Sequence, residues 1–396
     1  MERESEPDAS ADRSQRVDRR DFLRASGTIA LGTAAGCLGG GRSKPLKIGY
    51  IPITDAAPLL VASAKGFFEE EGLTTEEPTL YRGWSTLASA FQSGDVNAGH
   101  FLFPMTYWMR YGLGYPATVL GWDHTNGSAI TVASDVDSWD DLRGARMAVP
   151  YWYSTHNVIL QMVLRQKGLE PVLHREAVSD DQVALIDLAP PSMPPALSRG
   201  EIKGYIVAEP FNALAEIKTD AKIHRFTADI WFRHGDCVLT VAEPAVRNRP
   251  DWTRSLTRAV VRAQRWIGDH RAEAAQVLSK EGSGLLPYSR SVIDRSLNLY
   301  DPDAYPDAIK HPDWNAERVG FYGYPYPSYT KALYEQTQQT KLVGKTDFLD
   351  EVSPQTVAEE VVDPRFVRDA IGAFGGPSAF DIPQSRAYER EERIDI

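Results

Sequence analysis

The 396-residue chain is long enough for two domains, and its 42% hydrophobic content can fill proper cores. A formal net charge of −11 offers no basic footprint for nucleic acid or an anionic membrane surface. The cysteines are Cys37 and Cys237; with Cys37 used by the N-terminal signal below, a lone thiol makes neither an internal disulfide nor a thiolate cluster.

Arg19-Arg20-Asp21-Phe22-Leu23-Arg24, then a small-residue run to Gly36 and Cys37, reads as a twin-arginine lipoprotein signal over 1–37. The run is far shorter than the roughly 20 apolar residues of a spanning helix. Cys37 is expected to become the lipidated N-terminus, followed by a Gly-rich flexible tether at 38–45. Residues 46–51 alternate into a strand, and Thr54-Asp55 and Pro58 open a helix running to Glu69 before Gly72. A strand near 78–80, a helix over 85–92 and a short strand over 95–99 follow. This βαβα order predicts parallel sheets with helices on both faces.

Further strands are expected at 129–133, 147–149, 185–188, 204–207 and 238–242. Helices are expected at 138–144, 156–166, 252–277 and 356–373, with an irregular Tyr/Pro-rich cover at 300–329. The plan is lobe 1 over 46–135, lobe 2 over 136–236 and a return to lobe 1 over 237–375, with a loose polar tail over 376–396. The sequence shows no haem-attachment motif, cysteine ligand set or His-x-x-x-His pair, so no cofactor and no metal are expected. Cys237 reads as a small buried hydrophobe.

Lys47-Ile48-Gly49-Tyr50-Ile51-Pro52-Ile53-Thr54-Asp55 and Lys65-Gly66-Phe67-Phe68-Glu69 resemble the opening of the nitrate/bicarbonate solute-binding lipoproteins, grouped with the sulfonate and taurine binders of ABC importers. The likeness continues at Gly94-Asp95-Val96-Asn97-Ala98-Gly99-His100, Pro190-Pro191-Ser192-Met193, Ala208-Glu209-Pro210-Phe211-Asn212 and Asp229-Ile230-Trp231, over most of 45–375. It implies an α/β chain with a type II periplasmic-binding fold: two lobes joined by a hinge, one small solute between them, and no catalysis. It also implies permease and ATPase partners, and a place outside the cytoplasmic membrane, held there by the lipid alone.

A small anion needs N–H donors, helix N-termini and one or two cations. The resemblance places Trp84 on the anion site, with Ser85 as cap of the next helix. It assigns polar contacts to Asn126-Gly127-Ser128, also a turn and a glycosylation sequon, and an anion-binding histidine to His156 beside Thr155. A charged His156 at a helix start predicts anion affinity that declines as pH rises through neutrality. Glu209 and Asn212 follow a strand at its carboxyl end, where Glu209 contacts solute or braces the hinge.

The chain departs from the family at Trp231-Phe232-Arg233. There, nitrate binders carry a lysine after the tryptophan and bicarbonate binders a metal-holding acid. Arg233 could supply a planar fork for sulfonate or carboxylate. Alternatively Phe232 with Trp84, Tyr151, Trp152 and Tyr153 could stack on a flat heterocycle, such as a thiamine pyrimidine precursor. An exported enzyme is the remaining alternative, but no nucleophile elbow is present.

Overall fold

Short apolar strands and helices broken by glycine, histidine and proline build two sheets. The computed structural model describes residues 44–173, 178–298, 301–314, 317–382 and 388–396. The export signal with Arg19, Arg20 and Cys37, and the tether up to residue 43, lie outside the described residues. Lys44–Ile396 form one compact unit.

The strands are β1 (Ile48–Tyr50), β2 (Thr79–Leu80), β3 (Ala98–Leu102), β4 (Ala117–Trp122), β5 (Thr125–Asn126), β6 (Ser128–Val132) and β7 (Arg146–Val149). They continue as β8 (Glu170–Leu173), β9 (Gln182–Asp187), β10 (Gly204–Ala208), β11 (Lys222–Phe226), β12 (Cys237–Ala242) and β13 (Val319–Gly320). One sheet has the order β2-β1-β3-β12-β4, the other β11-β6-β10-β7-β9-β8, and β13 pairs with β5. Strands β1, β3, β4, β6 and β10 are buried along their whole length, as expected of sheets covered on both faces.

The sheets are mixed rather than parallel. Strand β12 runs antiparallel to β3 and β4, and β6 antiparallel to β10 and β11. Both are the strands by which the chain changes sheet, so each enters against the local direction. Because β6 is zipped between β10 and β11, the first crossing falls between Trp122 and Ser128, earlier than the expected boundary at 135. The chain re-enters the first sheet at β12.

Several helices divide where local geometry fails. Left-handed Gly66 separates Ala57–Ala64 from Phe67–Glu70. Non-helical His270 separates Pro250–Asp269 from Arg271–Leu278, and the second helix of the 356–373 stretch restarts after Pro364 as Arg365–Ala373. Val96 donates back to Ala90 O and so closes a helix, which starts β3 later than the pattern suggested. The end of the tail is docked rather than loose. Arg390 lies over the Trp122, Tyr326 and Tyr329 rings, Glu392 accepts from Trp231 Nε1 at 2.9 Å, and Ile394 bridges to Trp231. Among the described residues no helix is long and apolar enough to cross a membrane.

Candidate functional site

The segments that cross between the sheets, and those flanking them, bring a set of polar side chains into the interior. Thr54 and Asp55 follow β1, 123–127 lie between β4 and β6, and 234–236 lead into β12. Thr155 and His156 open the helix Thr155–Gln166, whose cap is Ser154, accepting from the Asn157 N–H at 3.0 Å. Asp55, His100, Asp123, His124, Asn126, Ser128, Thr155, His156, His234 and Asp236 are all buried.

Ser128, His156 and Asp236 meet directly. Ser128 Oγ donates to Asp236 Oδ2 at 3.2 Å and lies 2.8 Å from His156 Nε2, which is itself 3.0 Å from Asp236 Oδ2. Next to them, Asp55 Oδ2 lies 3.1 Å from His124 Nε2 and 3.6 Å from Cys237 Sγ. The Cys237 backbone N–H also points at His124 Nε2, at 3.1 Å. That nitrogen can accept from the amide or donate to the carboxylate, but not both. Among the described residues several buried atoms have no hydrogen-bond partner: the Asn126 amide, Thr54 Oγ1, His156 Nδ1, Trp84 Nε1 and both Asp123 oxygens.

The expected residues divide. Ser128, Thr155 and His156 gather around Asp236, with Asn126 and Gly127 in the adjoining turn at φ 61° and 84°. Trp84 is buried, with its ring 5.5 Å from that of His100. Ser85 is exposed and does not cap its helix: Trp84–Ser93 begins one residue earlier, after extended Gly83. Glu209 is a brace. Its carboxylate accepts from Arg318 Nε at 2.6 Å and the Ala213 N–H at 3.0 Å, and its backbone bonds Thr54 and Gly127. Asn212 is likewise committed, to Thr131 Oγ1 and Val207 O at 2.8 Å each.

Trp231 packs on Tyr329, with ring centroids 4.9 Å apart. Arg233 stands away from the cluster: it pairs with Asp381, donates to Tyr322 Oη and lines an open depression of about 490 Å³ with Phe232. Its Nη2 is therefore engaged, while its buried Nε has no hydrogen-bond partner among the described residues. Of the rings expected to stack on a heterocycle, two have other partners. Tyr153 stacks on Trp108, while Phe232 lies under Arg393.

Sequence reasoning missed Asp55, Asp123, His124 and Asp236 as site residues. They come from distant positions with no spacing pattern, so only the fold brings them together. Asp55 and His100 did stand inside the quoted resemblance, which was the one available signal.

Electrostatics changes the role of His156. Burial, with repulsion from His234 and His124, pulls it well below 6.5. It is therefore a neutral donor at pH 7, not the charged group expected from its helix position. Burial likewise takes His100 and His234 down to about 3. Burial and the Asp55 charge push Asp236 up to about 7. Burial opposes charge on His124, yet Asp55, Asp236 and Asp123 together hold it above 6.5. Burial raises Asp123 well above the usual carboxylate range. The Cys237 thiol is also pushed well up, by burial and then by Asp55.

The profile of the NMT1-like family matches residues 39–280, more than half of the chain. The chain is 25% identical over 310 residues to the nitrate/nitrite binding protein NrtA of Nostoc sp., covering 72% of this chain and 68% of that protein. It is 28% identical over 246 residues to the nitrate import ATP-binding protein NrtC of Synechocystis sp., covering 59% of this chain and only 37% of that protein. The crystal structure of the periplasmic nitrate-binding protein NrtA from Synechocystis superposes with a TM-score of 0.72 at 21% identity, over 88% of this chain and 93% of that one. The alkanesulfonate-binding protein SsuA from Xanthomonas axonopodis, bound to MOPS, superposes at 0.59 and 14% identity, over 81% and 98%. The chain belongs to the NMT1-like family and has the type II periplasmic-binding fold.

Proposed function

We propose that this protein is the solute-binding component of an ABC importer, capturing a small oxyanion of the nitrate, sulfonate or bicarbonate class as its two halves close. It works outside the cytoplasmic membrane, exported by the twin-arginine route and held by lipid on Cys37, and delivers solute to permease and ATPase subunits. The observation that carries this reading is the set of buried hydrogen-bonding atoms on Asn126 and His156 that have no partner among the described residues, at the crossing between the sheets. A buried polar atom without a partner costs about 1–3 kcal/mol, and an oxyanion accepting from these donors offsets that cost. Solute touching both halves then shifts the hinge equilibrium toward the closed form. Its similarity to the nitrate/nitrite binding proteins NrtA supports the class of solute.

Two alternatives rank below this reading. For the heterocycle reading, Tyr153 stacks on Trp108 and Phe232 lies under Arg393. For the enzyme reading, the sequence carries no nucleophile elbow, and burial pushes the Cys237 thiol well up.

Thermal-shift screening against nitrate, bicarbonate with calcium, taurine, alkanesulfonates and pyrimidines tests the proposal. A ligand at a hundredfold excess over Kd stabilises by about 2.7 kcal/mol. An anion should raise the melting temperature, and His156→Ala and Asn126→Ala should each remove most of that shift. Stabilisation by a pyrimidine alone, or by none of these compounds, would refute it.

A further inference from the structure

We propose that Asp55, His124 and Cys237 form a binding site for one divalent transition-metal ion of the zinc type, at the crossing between the two sheets. This does not rest on the identity of the solute. It also lies apart from the position after Trp231, where the family resemblance puts the metal-holding acid of bicarbonate binders.

The geometry comes first. One ligand atom from each residue lies within 4.8 Å of the other two. The Asp55 Oδ2–His124 Nε2 and Asp55 Oδ2–Cys237 Sγ separations are 3.1 and 3.6 Å. Tetrahedral zinc, at about 2.3 Å to sulfur and 2.0–2.1 Å to nitrogen or oxygen, has ligand–ligand edges of roughly 3.3–3.6 Å. Two of the three edges are thus close to those of one tetrahedral face, and the third, between His124 and Cys237, is no more than 4.8 Å. A thiolate, an imidazole and a single carboxylate are a soft-to-borderline set, suited to zinc or cobalt and poorly matched to magnesium or calcium.

Charge points the same way. Asp55, Asp123 and Asp236 are buried near one another, and among the described residues the ion pairs of Asp55 and Asp236 are with histidines. Among the described residues both Asp123 oxygens and Asp55 Oδ1 have no hydrogen-bond partner. On binding, the Cys237 thiol gives up its proton. Carboxylate, thiolate and dication then sum to zero.

The contested His124 Nε2, faced by both an amide and a carboxylate, gains a use for its lone pair. Gly127 packs tightly against both ligand side chains on the side away from their ligand atoms: a Cβ there would lie 3.0 Å from His124 Nδ1 and 3.1 Å from Asp55 Oδ1. The ligands follow β1, lie in the first crossing and open β12, so a bound ion would tie the crossing segments together.

The test uses the full chain carrying Cys37→Ser, in which Cys237 is the only thiol. After chelator treatment and dialysis, zinc should bind at one equivalent and raise the melting temperature. Cobalt(II) should give the intense visible bands of a tetrahedral site and a near-ultraviolet thiolate-to-cobalt charge-transfer band. Cys237→Ser should lose that band and weaken zinc binding by about a hundredfold or more, since disturbing even outer-shell partners costs 10–100-fold. Asp55→Asn should weaken it without removing the band. Failure of the folded parent to take up one equivalent, a cobalt spectrum without the thiolate band, or wild-type zinc affinity in Cys237→Ser would overturn the proposal. The parent's cobalt spectrum decides the matter even if a variant does not fold.

Discussion

Arg318 is the most exposed point of failure in the chemistry around the crossing, although its own side chain is buried. Its Nε donates to Glu209 at 2.6 Å and its Nη2 to Glu216 at 2.7 Å. Replacing it by Met keeps most of the volume but leaves the buried Glu209 carboxylate with the Ala213 N–H as its one hydrogen-bond donor among the described residues. Glu216 retains Arg295. Breaking one partner out of a buried pair costs about 3–5 kcal/mol.

At about 1.4 °C per kcal/mol for a unit of this size, the Arg318→Met melting midpoint should fall by roughly 4–7 °C. The loss should also depend on pH. Burial already raises Glu209 above 4.5 against the opposing pull of Arg318, and removing Arg318 raises it further. A raised folded-state value means stability that is present below about 4.5 and lost as pH climbs. The variant's deficit should therefore be small at pH 5 and large at pH 8 in differential scanning fluorimetry. Adding Glu209→Gln should recover part of it, because a neutral amide is cheaper to bury than a carboxylate. A drop below 2 °C, or a deficit flat across that pH range, would refute the reasoning.

In metal-stripped protein, Asp236 is raised from 3.8 to about 7, so its contribution to stability is lost as pH rises through 7. Anion affinity should decline over the same interval as the carboxylate charges beside Ser128, Thr155 and His156. Asp236→Asn should flatten that profile in calorimetric titrations from pH 5.5 to 8.5; a profile abolished by His156→Ala but kept in Asp236→Asn would assign the titration to the imidazole instead. Deleting residues 388–396 should uncover the Trp231 and Tyr329 rings now covered by Arg390 and Glu392. Tryptophan emission should shift to the red and the melting temperature fall, while a spectrum identical to the full chain would show that the tail contributes nothing.

Much of the architecture was legible along the chain because it is written in local terms. Apolar runs at 129–133, 204–207 and 238–242 mark strands buried on both faces, and Ser154 ahead of Thr155 and His156 marks a helix start whatever the rest does. The helices were drawn too long where Gly66, His270 and Pro364 interrupt a pattern that stays amphipathic across the break. The lobe boundary was set late because the apolar run at 129–133 identifies a strand but not its sheet; pairing with β10 and β11 decides that.

Side-chain commitments were the least legible. Arg233, Glu209 and Asn212 are the right residue types for a solute, yet each is already bound to a partner far along the chain or across a turn. Ser128, Thr155 and His156 could be nominated from sequence because local motifs carry them to the ends of elements. Asp55, His124, Cys237 and Asp236 could not be nominated together. They are separated by up to 182 residues, and the charge each carries depends on burial and on the others, which exist only once the two crossings have closed.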